Sequence, residues 1–286
     1  MVFDEASHTY TYRGVVVEKS CTALVSQNFE HFDAWGTVTM FYERWKHNQD
    51  DRYWDIIGLT HETADESRID DYEAQRRIVA RWEGLGAEAA CKGTLLHTYC
   101  ERSFNRAPTD PPISLNGFED IVQEVVQHDA FMRSDIITEH ALRPYATELL
   151  VWYTINGHVV SAGQVDAVMR SSDTGEFYLF DWKRVSNKHE LTAWEQPFAG
   201  RQGVGECAEI PDTHFHKYSL QCSIYGIMLG HSRGIGVGNR MYLVRVHEDR
   251  ETYQVVECCD WRPVAQSLLQ AEHERLMAKR TKMLVV

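Results

Sequence analysis

The sequence has no run of about 18 apolar residues, so no membrane-spanning helix is expected. It has no Cys-x-x-Cys pair. Its seven cysteines stand at 21, 91, 100, 207, 222, 258 and 259. That odd and scattered set argues against a zinc ribbon and against a secreted disulfide framework, and points to a reducing interior. The same spacing speaks against an iron–sulfur cluster. Basic charge is scarce: 29 Lys and Arg face 42 Asp and Glu, a net charge of −13. A generally basic nucleic-acid-binding surface is therefore excluded, although a local basic groove can sit on an acidic protein and metal sites concentrate carboxylates. The start, Met1-Val2-Phe3-Asp4-Glu5, lacks the basic and apolar segments of a signal peptide. No Gly-Lys-Ser/Thr phosphate loop occurs. His61-Glu62-Thr63-Ala64-Asp65 is not the His-Glu-x-x-His of a zinc protease, and Gly234-Ile235-Gly236-Val237-Gly238 precedes a strand rather than following one. An intracellular setting is expected (cytoplasm, nucleus or organelle, with phage or viral coding left open).

What is present suffices for a large core: 43% of the 286 residues are hydrophobic. His8–Tyr12 and Val15–Val17 flank the turn signal Arg13-Gly14 and read as a hairpin. Residues 34–47, 70–83, 87–104 and 117–133 are helix-like, and 48–69 reads as polar loop. From Ile136 strand-like runs dominate: Ile136–Glu139, Ala146–Ile155, Val159–Met169 and Phe177–Lys183. Residues 188–211 are mixed. A helix over 215–229, a hairpin from 240–247 and 252–258, and a closing helix over 263–280 complete the chain. This order predicts a mixed α/β fold, with a hairpin and helical lobe over 1–86 ahead of a β-centred domain over 87–286.

One hairpin carries chemistry. Gly163-Gln164-Val165-Asp166 ends near the middle of one strand, and Asp181-Trp182-Lys183 follows fifteen residues after Asp166 on its partner. Asp181 and Lys183 are two apart and share one face of the strand. Two carboxylates and an ammonium in one place can hold a divalent ion and orient a water towards a phosphodiester. Each piece alone has a plainer reading. His97 would more often be a packed helix histidine, and Asp181 with Lys183 would be a surface ion pair of little worth. What outweighs this is the order: Gly93-Thr94-Leu95-Leu96-His97 on a helix with Glu101 one turn on, then Glu148, Asp166, Asp181, Lys183, and finally Gln221 and Tyr225 sharing a helix face.

That order resembles the RecB-like branch of the PD-(D/E)XK nuclease superfamily, which includes Cas4 nucleases, phage and viral exonucleases and mitochondrial genome maintenance exonucleases. The resemblance covers about residues 87–258. It implies a restriction-endonuclease-like central β-sheet flanked by helices. By that likeness His97, Asp166, Asp181 and the backbone carbonyl of Trp182 are metal ligands for Mg2+ or Mn2+, one or two ions. Lys183 is the catalytic lysine, and Glu148 orients Lys183 or a metal-bound water. Gln221 and Tyr225 place a DNA strand, and Glu101 matches an acidic position found in only part of the family. Arg184 departs from the pattern, which more often has a small hydroxyl residue there; it adds a phosphate contact or is simply solvated. The cysteines do not match the cluster-bearing members.

Lys217 is a further candidate for DNA contact. Arg77 and Arg81, interleaved with Trp35, Trp45 and Trp82, suggest a lobe that threads a single strand, against the plainer reading that Trp45 and Trp82 are core residues. The function expected is a metal-dependent DNA exonuclease preferring single-stranded ends, acting in replication, repair or recombination. Two alternatives stay open: a structure-specific or restriction-type endonuclease, and a nucleic-acid-binding module without turnover. A helicase or recombinase partner is left open, and no membrane is expected.

Overall fold

The computed structural model describes residues 1–5, 7–61, 68–107, 109–185 and 200–284. Most of the mixed stretch expected over 188–211 lies outside them. The chain divides into two compact units: residues 1–30 with 95–286, and residues 31–94. The opening strands thus group with the β-rich unit.

In the larger unit, β1 (Val2–Asp4), β2 (Thr9–Tyr12) and β3 (Val15–Val16) form a small antiparallel sheet. Ser20 caps α1 (Cys21–Ser26) by accepting from the Ala23 N–H. The main sheet has five strands in sequential order: β4 (Leu142–Ile155), β5 (His158–Ser171), β6 (Phe177–Arg184), β7 (Met241–Val246) and β8 (Gln254–Glu257). All neighbours are antiparallel except β6 and β7, which are parallel. A parallel pair needs a crossover, and α7 (His214–Arg233) lies within it.

Both faces of the sheet are covered. On one face Val151, Val165, Val168 and Leu179 pack with Leu24 of α1, with Leu220, Ile224 and Met228 of α7, and with Leu268 and Leu269 of α8 (Arg262–Leu284). On the other, Met169, Phe180, Trp182 and Val244 pack with Leu96, Tyr99 and Phe104 of α4 (Asp71–Asn105), with Val125 and Phe131 of α5 (Val122–Phe131), and with Ile137. This is the mixed α/β fold expected, a central sheet flanked by helices.

Several local readings change. Ile136–Glu139, expected as a strand, is helical: α6 (Asp135–Glu139). Ser134 and Asp135 are helix-start residues, and they override the β-preference of two isoleucines in so short a run. β4 begins four residues earlier than expected and contains Pro144. It is an edge strand with a register shift between Pro144 and Ala146, where a missing N–H costs nothing. The two helices expected over 70–83 and 87–104 are one, α4, because Gly84 and Gly86 weaken a helix without ending it.

Residues 31–94 are helical. Asp33 caps α2 (Ala34–His47), accepting from Gly36 N–H at 2.9 Å. Within the expected polar loop, α3 (Trp54–Ile57) forms because Ile56 and Ile57 are buried against Val38, Tyr42, Trp45 and Ile78. Trp45 is core, and Trp82 packs on it edge-to-face at 6.0 Å and donates to the Tyr53 hydroxyl at 3.3 Å. The plainer reading of this tryptophan pair holds. Trp35, by contrast, is exposed and stacks on exposed Tyr72 at 5.9 Å. Among the described residues no helix is long and apolar enough to cross a membrane.

Candidate active site

The sheet splays at its centre. β5 and β6 pair only through Ala167–Arg170 with Phe177–Phe180. Before Ala167, β5 follows β4, and after Phe180, β6 follows β7. Leu179 and Val185 donate their N–H groups to Arg240 and Val246, so the alternate residue Trp182 turns its backbone groups away from β7 and into the fork. There the Trp182 N–H donates to Asp166 Oδ2 at 2.8 Å. A side chain thus replaces the missing ladder bond.

Opposite Asp166 the β4 ladder is also interrupted. Thr147 pairs with Ala167 and Leu149 with Val165, but Glu148 between them has φ of +46°. The left-handed region is unfavourable for a residue with a Cβ, and strain of about 1–3 kcal/mol concentrates at functional positions. Here it coincides with the place where Glu148 meets two other polar groups. His97, on α4, has its Nδ1 3.5 Å from Asp166 Oδ2 and 3.7 Å from Glu148 Oε1. One potential ligand atom from each of His97, Glu148 and Asp166 lies within 4.8 Å of the others.

Asp181 and Lys183 stand beside this trio. Their side chains share a face as their spacing requires, with Lys183 Nζ 2.6 Å from Asp181 Oδ2. Lys183 also lies 4.6 Å over the Tyr218 ring. Asp181 is almost fully buried, and its Oδ1 has no hydrogen-bond partner among the described residues.

Electrostatics bind these groups together. Asp166 chiefly, with Glu148, pushes the His97 imidazole up to about 9 against the effect of burial. Burial pushes Asp181 up to about 6, with Lys183 opposing and Asp166 adding to the rise. Burial also raises Asp166, opposed by His97 and Lys183. Burial disfavours charge on Lys183, but Asp181 and Asp166 outweigh it and hold the ammonium well above its ordinary range.

The donor set suits a hard divalent cation. Carboxylate oxygens match magnesium or manganese, and one imidazole favours manganese tolerance. An orphaned, buried Asp181 oxygen beside the trio is what such an ion would satisfy. Glu148, expected as a partner of Lys183 or of a water, lies with His97 and Asp166 in a group able to hold an ion, whereas Asp181 is paired with the lysine. Glu101 is half-buried one turn beyond His97 and does not join the trio.

The α7 residues divide. Tyr225 is buried against β5. A Cβ at Gly163 would lie 2.6 Å from the Tyr225 ring and 3.1 Å from Cys21 Cβ, so only glycine allows this approach. Gln221 donates to the Tyr225 hydroxyl at 3.0 Å. Lys217, one turn earlier, pairs with Asp212 at 2.5 Å and lies 5.0 Å over Phe29. Arg184, expected as a phosphate contact, is instead buried between Glu124 at 2.7 Å and Glu248 at 2.9 Å. In the smaller unit Arg77 pairs with Glu73 at 2.8 Å, and Arg81 pairs with Asp55 and donates to the Arg52 carbonyl at 3.1 Å.

Two side chains were not anticipated. Tyr218 beneath Lys183 sits in the run Lys217–Gln221, where only its neighbours were assigned. Gln164, inside the Gly163–Asp166 motif, donates to the Glu148 carbonyl at 3.3 Å. Its place between two assigned residues was the signal.

No protein-family model and no curated protein matches the chain. Among solved structures, SSO0001 is 14% identical with a TM-score of 0.28, over 67% of this chain and 87% of that one. A protein from Eubacterium rectale described as a candidate exonuclease is 12% identical with a TM-score of 0.34, over 78% of each chain. At these scores neither likeness bears on what this chain does.

Proposed function

We propose that this chain is a metal-dependent deoxyribonuclease of the RecB-like kind that hydrolyses phosphodiester bonds at single-stranded ends, within the cell, in replication, repair or recombination. The observation that carries this reading is the meeting of His97, Glu148 and Asp166 beside the Asp181–Lys183 pair in the fork between β5 and β6. His97, Asp166, Asp181 and the Trp182 carbonyl would hold magnesium or manganese, with Glu148 beside them. Such an ion, when bound, supplies Lewis acidity and lowers the pKa of a water.

The remaining work belongs to the protein's own groups. Lys183, held charged, orients the attacking water and stabilises negative charge on the phosphoryl oxygens rather than acting as a base. Glu148 orients that water and receives its proton. Gln221 and Lys217 place the strand, with Tyr225 fixing Gln221 from behind. Arg77 and Arg81 give the 31–94 unit basic contacts for a single strand, in keeping with a DNA-covering lobe ahead of the nuclease core.

The test is a set of end-labelled, end-blocked and circular DNA and RNA substrates, with magnesium or manganese, against Asp181→Ala. Short products from free DNA ends, none from circles, and none with Asp181→Ala are expected. Cutting of circles would overturn end dependence. Activity surviving in Asp181→Ala would overturn the whole reading.

A further inference from the structure

A cavity of about 550 Å³ opens beside this site, within the larger unit. Phe3, Tyr10, Thr22, Gly163, Gln164 and Tyr225 contribute to its walls. Its size is that of a small-molecule pocket. Among the described residues its walls carry no Lys, Arg, Asp or Glu. Such a lining does not suit a phosphate or a divalent cation. Aromatic rings with a carboxamide and hydroxyls suit an uncharged heteroaromatic ring with polar edges.

Three wall residues tie the cavity to the carboxylates. Gln164 precedes Asp166 by two positions on β5 and its amide is fixed by the Glu148 carbonyl at 3.3 Å. Tyr10 is raised to about 12, mainly by burial, with Cys21 and then Glu148 adding to the rise. Tyr225 is raised chiefly by burial, with Asp166 and Asp181 among the contributors. The wall is also preorganised: Phe3 stacks on Tyr10 at 4.6 Å and 27°. Ser161 donates to the Lys19 carbonyl at 3.0 Å and Ser20 bridges to Ala162, which seats the start of α1 against β5.

We propose that this cavity takes the base and sugar of one nucleotide of the strand whose phosphate lies at the His97–Glu148–Asp166 group. The inference rests on the nuclease reading and deepens it. A pocket with room for a single nucleotide next to the reacting phosphate favours strands presented by an end, since an interior nucleotide must be unstacked and turned out on both sides to enter.

The experiment measures binding of thymidine 5′-monophosphate and of 2-deoxyribose 5-phosphate to the full chain in magnesium, by calorimetry. Wild type should prefer the nucleotide by about tenfold or more, the scale of one base–aromatic contact. Two variants should bring that ratio towards one: Tyr10→Ala, which removes a wall ring, and Thr22→Trp, which fills the cavity from its exposed rim. Thr22→Trp keeps the test decisive if Tyr10→Ala unfolds, and melting temperatures identify that case. Equal affinities in wild type, or a ratio unchanged in folded variants, overturn the proposal. End-labelled strands left uncut by wild type, with the ratio intact, would remove the nuclease reading while the nucleotide pocket stands. Strands cut normally with a ratio of one would do the reverse.

Discussion

Asp166 Oδ2 accepts the Trp182 N–H at 2.8 Å and is also the oxygen 3.5 Å from His97 Nδ1. One carboxylate oxygen therefore both closes the fork between two strands and faces the helix that delivers the imidazole. On the proposed reading stability and chemistry would be coupled at this atom, and the consequences can be measured.

Metal should stabilise the wild-type fold. A ligand at a hundred times its Kd adds about 2.7 kcal/mol. Manganese should raise the melting temperature of wild type, and chelator should reverse the rise. Asp166→Asn should abolish the response and lower kcat by about 10²-fold or more. A manganese-dependent rise retained in Asp166→Asn would remove Asp166 from the ligand set.

Lys183→Met should destabilise the metal-free protein by about 3 kcal/mol, because it leaves Asp181 buried without its counter-charge. Adding Asp181→Asn should recover much of that loss, as denaturant unfolding of both variants would show. Lys183→Arg retains the charge but changes its shape, so it should fold and turn over slowly. Wild-type activity and an unchanged pH–rate profile in Lys183→Arg would overturn this expectation, exclude the lysine as a base and leave only its positive charge as a contribution.

Gly163→Ala should cost about 1–3 kcal/mol, the usual penalty for overpacking, because its Cβ would overlap the Tyr225 ring. Tyr225→Leu in the same chain should restore part of the loss. Chemical denaturation of the two variants checks this, and additive losses would show that Tyr225 is not the obstacle.

Acid should weaken the 31–94 unit through Asp71. Lys46 Nζ at 2.7 Å and the Tyr42 hydroxyl at 2.9 Å hold this carboxyl below its ordinary value, the lysine more strongly. A depressed folded pKa contributes stability above the unfolded value near 3.9 and loses it as pH falls through the folded value. Asp71 is exposed enough for solvent to screen it, so Asp71→Asn should cost about 1 kcal/mol or less at pH 7. The difference from wild type should close in acid. A gap that stays constant down to pH 2 would show that the charge does not contribute.

Much of this was legible in order along the chain. β5 and β6 read as short apolar runs bounded by turn residues because both faces of the sheet are covered, and the spacing of Asp181 and Lys183 places both side chains together whatever surrounds them. Short range was less legible. Ile136–Glu139 became helical because helix-start residues precede it, and β4 extended through Pro144 because an edge strand tolerates proline. Arg184 reads as a free cation until Glu124, sixty residues away, is brought against it.

The sequence by itself determined the set of groups: a helix histidine, strand carboxylates, and a lysine two residues beyond one of them. These follow from residue type and from the repeats of helix and strand, which are local. Only the tertiary structure decided which groups share an atom's neighbourhood. It set Glu148 at positive φ opposite Asp166, brought His97 to both, and opened a cavity between β1–β2, α1 and β5. Those outcomes depend on where two strands part and what packs behind them, and contacts between residues far apart along the chain carry no periodic signal.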